Sequence, residues 1–65
     1  MPKQNLSKSD EVYFEFIAIG HSVKVIAIHA ASGTEVSVIG PASAARSDLE
    51  RLAIQKLAAR LKNDA

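Results

Sequence analysis

The chain has 65 residues, a formal net charge of +1 and no cysteine. So short a chain buries only roughly 60% of the surface its unfolded form exposes, and it needs a staple or a partner to do better. Disulfides and thiolate metal sites are excluded, and the two histidines do not by themselves close a structural zinc site. Apolar residues make up 48% of the sequence, but eleven of them are alanine, and the three aromatics sit together at Tyr13, Phe14 and Phe16. The composition therefore leaves a lean core, a second copy of the chain, or both.

Residues 1–10 are polar and read as a flexible tail: they lack the apolar segment of a secretory signal. No stretch approaches the ~18 apolar residues of a membrane span. The expected location is the cytoplasm, with which the absence of cysteine is compatible. A single domain is expected over 11–62, with 63–65 frayed.

Residues 12–19, β-branched and aromatic, predict a first strand. Gly20-His21 suits a two-residue type II′ hairpin loop, and 22–29 predict a second strand. That loop sets Ile19 opposite Ser22, Phe16 opposite Val25, Phe14 opposite Ala27 and Val12 opposite His29. One sheet face is then almost wholly apolar, so the pattern supports its own register. The other face carries Tyr13, Glu15, Ile17 and Ile19 beside Ser22, Lys24, Ile26 and Ile28, with Glu15 and Lys24 diagonally placed to pair. Four isoleucines are too many for a face left to solvent.

Ser32-Gly33 marks the next turn and 34–39 a third strand. Two loop lengths fit. Four residues put Val36 and Val38 on the Phe14/Phe16 face; three, with Gly33 in a bulge, put them with Ile26 and Ile28. The bulged form is favoured for its glycine chemistry, and the register stays open. Gly40-Pro41 ends the strand. Ser47-Asp48-Leu49-Glu50 reads as a capping box opening a helix from Ser47 to about Lys62, and Ser43 as a cap for an extra leading turn. Leu49, Ala53, Leu57 and Leu61 form its apolar stripe, widened by Ile54 and Ala58. Leu52 falls outside it.

The predicted fold is therefore α+β: a three-stranded antiparallel β-meander followed by one C-terminal α-helix (β-β-β-α), assembled as a homodimer. Ile17, Ile19, Ile26, Ile28 and Leu52 are the candidate dimer interface. Gly40 and Pro41 are a candidate hinge, short and stiff enough to direct the helix onto a partner's sheet in a domain swap.

Chemistry-bearing residues are sparse. His21 lies in a tight turn, and His29 stands at a strand end near Asp10 and Glu11; neither has the companions of a catalytic base. The serines fall at turns and caps, and the glycines are isolated. No enzyme activity and no cofactor are expected. Arg51, Lys56, Arg60 and Lys62 are the candidate nucleic-acid contacts, but they scatter around the helix, and Glu15 in the aromatic run opposes phosphate.

The runs Val12-Tyr13-Phe14-Glu15-Phe16, Ser22-Val23-Lys24-Val25, Gly33-Thr34-Glu35-Val36-Ser37, Gly40-Pro41-Ala42-Ser43 and Asp48-Leu49-Glu50-Arg51-Leu52-Ala53, together with Gly20 and Ala27-Ile28, resemble a small family of uncharacterised bacterial proteins. That family is mainly alphaproteobacterial and is classed as a domain of unknown function. The resemblance covers about residues 12–61 and implies no activity and no catalytic residue; His21, Lys24 and Glu35 are its notable polar positions. The expected role is a small homodimeric interaction or adaptor protein without catalysis. The alternative is a nucleic-acid-binding regulator that uses the helix or sheet edge of a dimer.

Overall fold

A computed structural model describes residues 11–64. The expected tail, 1–10, and Ala65 lie outside the described residues. Strand β1 (Val12–Ile19), strand β2 (Ser22–His29), strand β3 (Glu35–Pro41) and helix α1 (Arg46–Asp64) follow in that order. The strands form one antiparallel sheet, β1-β2-β3.

The first hairpin has the register its sequence predicts. Ile19 pairs with Ser22, Phe16 with Val25, Phe14 with Ala27 and Val12 with His29. Gly20 has a φ of 58° and, among the described residues, none other than glycine has a positive φ, which fits a II′ turn with His21 in its second place.

The second hairpin departs from the favoured bulged form. Val36 pairs with Ala27 and Val38 with Val25, so both join the Phe14/Phe16 face. Four residues, 30–33, span the turn, which is closed by the His29 amide on the Thr34 carbonyl (2.8 Å) and the Gly33 amide on the His29 carbonyl (2.8 Å). Gly33 has a φ of 73°. Its left-handed backbone serves the four-residue loop as well as the bulged one, so glycine chemistry does not discriminate between them. Packing does: Val36 is buried beneath the helix. The strand also runs on through Gly40 and Pro41, which pair with Val23 and Ser22.

The candidate hinge is thus part of the ladder, and the chain turns at 42–45 instead. There the Ala44 amide bonds the Pro41 carbonyl at 3.0 Å, and the Ala42 amide bonds His21 at 2.8 Å.

The helix begins earlier than the capping box implies. The Asp48 and Leu49 amides both bond the Ala45 carbonyl, at 3.1 and 3.2 Å, which makes Ala45 the cap. Ser47 is then inside the first turn, and the expected Ser47–Glu50 exchange does not form. Ser43 belongs to the preceding turn rather than to a leading helical turn. At the other end the helix continues two residues past Lys62 to Asp64, whose carboxylate accepts from Arg60 Nε at 3.1 Å.

Leu49, Ala53 and Leu57 pack on Val25, Ala27 and Val36 to form the core. Ile54 and Ala58 do not widen that stripe: both are exposed, Ile54 at 45%. The helix packs mainly on β2 and β3. Phe14 and Phe16 of β1 touch the core but remain only partly buried.

Gly40 sets the depth of this contact. A Cβ built there would come within 2.5 Å of Leu49 Cδ2, in a side chain only 4% exposed. Gly40→Val is therefore expected to destabilise the fold by about 1–3 kcal/mol through overpacking, read as a lower urea midpoint with an unchanged slope.

Candidate interaction surface

The face of the sheet away from the helix holds four rows of side chains fixed by the register. Tyr13, Ile28 and Glu35 lie across one end, Glu15, Ile26 and Ser37 next, then Ile17, Lys24 and Ile39. Ile19, Ser22 and Pro41 close the other end. No described residue covers it. Tyr13, Ile17, Ile19 and Ile39 are 42–66% exposed, while Ile26 and Ile28 are half-buried among their neighbours. The four isoleucines singled out from the sequence are thus brought together. Leu52, 52% exposed, is not among them, because it stands on the helix on the opposite side of the sheet.

Ile39 belongs to the surface and was missed at the sequence level; its place follows only from the β3 register. The expected Glu15–Lys24 pair is also absent. The ion pairs among the described residues are Arg51–Asp48 at 3.4 Å and Arg60–Asp64 at 3.1 Å, both exposed.

The two sheet edges differ. Because Ile19 and Ser22 flank a two-residue loop, Tyr13, Glu15, Ile17 and Ile19 turn their backbone groups toward β2. On the other side of the sheet, the His29–Thr34 and Ala42–His21 bonds show that Glu35, Ser37, Ile39 and Pro41 turn theirs outward. That outer edge is protected: Lys56 Nζ donates to the Ser37 carbonyl at 2.6 Å, and Pro41 has no N–H to offer. Lys56→Ala is expected to leave the fold intact while exposing this edge, seen as faster amide exchange around Ser37 and Ile39 and greater aggregation at high concentration.

The basic residues do not make a common face. Arg51 and Arg60 are turned to carboxylates, Lys56 to Ser37, and Arg46 lies 4.2 Å above the Phe16 ring. Lys62 alone of the nucleic-acid candidates keeps no such contact among the described residues.

One polar cluster stands apart. His29 Nδ1 is 2.8 Å from Ser32 Oγ, which is 2.9 Å from Thr34 Oγ1 and accepts from the Thr34 amide at 3.2 Å. A histidine beside a serine has the elements of a nucleophile and base. Here the serine sits in the hairpin turn it braces, all three bonds are exposed, and no pocket encloses it. The cluster is a turn clasp. His29 Nδ1 turns to Ser32 rather than to Glu11, whose carboxylate accepts instead from the Tyr13 hydroxyl at 3.3 Å. Among the described residues no group of histidine and carboxylate side chains converges as a metal cage, and no helix is long and apolar enough to cross a membrane.

The family model described as "Domain of unknown function (DUF6898)" matches residues 9–64, nearly the whole chain. The chain belongs to that family. No curated protein and no solved structure matches it. The DUF6898 match spans the whole meander and helix, so the uncovered face and both sheet edges lie within the family domain.

Proposed function

We propose that this DUF6898 chain is a non-catalytic interaction protein of the cytoplasm that works as a homodimer, with the uncovered sheet face as its contact surface. The observation that carries the reading is the gathering of Ile17, Ile19, Ile26, Ile28, Ile39 and Tyr13 on one uncovered face. A contiguous exposed apolar surface of this kind marks an interaction site.

A second copy suits it by charge. Glu15, Glu35 and Lys24 share the face, and none has an ion-pair partner among the described residues. Across a two-fold axis, Lys24 of each copy meets a carboxylate of the other, while the isoleucines interdigitate. Sheets packed this way stand about 10 Å apart.

Sedimentation at micromolar concentration tests the reading. A species of twice the 6.9 kDa chain mass supports it, and a monomer throughout overturns it. A domain swap through 42–45 adds a further expectation: glycines inserted there shift dimer toward monomer.

A further inference from the structure

We propose that the open edge of β1, with the step between β1 and the helix, binds an extended peptide segment of a partner protein, apolar at alternate positions and carrying an acidic side chain toward the helix. This inference extends the interaction role to a second surface, separate from the proposed dimer face.

Val12, Phe14, Phe16 and Ala18 are the β1 residues whose backbone donors and acceptors point away from β2, because their odd-numbered neighbours pair inward. Among the described residues this edge has no proline and no lysine clasp, unlike the edge of β3. The same residues carry side chains on the helix side of the sheet. The helix lies mainly over β2 and β3, so the flank of the sheet beside it is open and Phe14 and Phe16 stay partly exposed.

The helix flank above this step is identified by Lys56, which reaches the outer edge of β3. Ile54, two residues earlier and so about 200° around the helix, lies on the opposite flank, toward β1, at 45% exposure. A strand added to β1 would bond its backbone to Phe14 and Phe16 and direct every second side chain between those rings and Ile54. Arg46, stacked over Phe16 with no ion pair among the described residues, supplies a cation beside that position.

Charge argues against a second copy as the occupant. The longest antiparallel self-pairings of β1 centre on Glu15 or on Phe16. The first sets Glu15 against Glu15 of the other copy. The second brings the two Arg46 guanidiniums together over facing Phe16 rings. Like charges placed so are unfavourable. A peptide meets no such clash where its acidic residue lies beside Arg46, at the start of the helix, and not beside Glu50 one turn further on.

The test pans a display library of short random peptides against the purified full chain. Expected is enrichment of sequences with alternating apolar residues and an aspartate or glutamate, whose binding slows amide exchange at Phe14, Phe16 and Ala18. Ala18→Pro removes one outward N–H at an exposed edge position, where proline is tolerated. It is expected to weaken the selected peptides about tenfold, with an unchanged circular dichroism spectrum and sedimenting mass. Arg46→Glu is expected to shift the enriched charge from acidic to basic. No enrichment, or peptides that protect the Ile17 and Ile26 face and bind the Ala18→Pro variant equally, overturns the proposal. The dimer reading is judged separately, by mass alone.

Discussion

Leu57→Ala is expected to remove much or all of the stability of the fold. Leu57 is 2% exposed and packs with Leu49 and Ala53 on Val25, Ala27 and Val36. Removing a buried leucine side chain costs about 2–5 kcal/mol, the transfer loss plus the cavity left behind. At about 0.05–0.15 kcal/mol per residue, the total stability of such a domain is roughly 3–10 kcal/mol. The deletion therefore consumes much or all of it. Among the described residues the core has six buried apolar side chains, two of them alanines, so the partly buried Phe14, Phe16, Val38 and Leu61 around it are the side chains left to relax toward the gap. Leu52→Ala, at a leucine 52% exposed on the same helix, is the control and should shift the urea midpoint little. Circular dichroism in a urea titration checks both. Equal midpoints for the two variants would mean that the helix is not held on the sheet through this stripe.

The fold was readable where one signal dominated. A two-residue loop and strict alternation left β1 and β2 one register, and it formed. The third strand was ambiguous for a physical reason: both sheet faces are apolar, so Val36 and Val38 look at home on either, and Gly33 suits either loop. What decides is tertiary. The helix needs Val36 as its floor and Gly40 as the gap that admits Leu49. The helix start was misread because Ser47 and Glu50 have the spacing of a capping box, yet the turn from Pro41 to Ala44 delivers the chain to Ala45 as cap.

The interaction surface divides in the same way. Its isoleucines were legible from alternation. Ile39 and the difference between the two edges were not, because they follow from the β3 register and from the sideways position of the helix over β2 and β3. Ile54 shows this most directly. Its wheel position is near the stripe, but a helix set over β2 and β3 leaves that flank above β1 and open.

Ile26→Lys is expected to raise the dissociation constant of the proposed dimer at least about 100-fold while the monomer fold persists. Ile26 lies in the middle strand, opposite Glu15 on one side and Ser37 on the other, at the centre of the uncovered face. Central, well-packed apolar residues carry most of the energy of an interface, about 2 kcal/mol or more each. A lysine there removes that contact and must bring its charge into the seam or hold the sheets apart. In the monomer the same lysine is tolerated, because its ammonium reaches solvent and Glu15 stands directly across the ladder. The helix core is on the other face and is untouched. Leu52→Lys separates this account from one in which any added charge disperses an aggregate: Leu52 is on the helix layer, outside the seam, and its variant should remain dimeric. Sedimentation of the three proteins over a concentration series reads the result. Dimers of equal strength in all three would place the contact elsewhere, and loss of dimer in Leu52→Lys alone would move it to the helix.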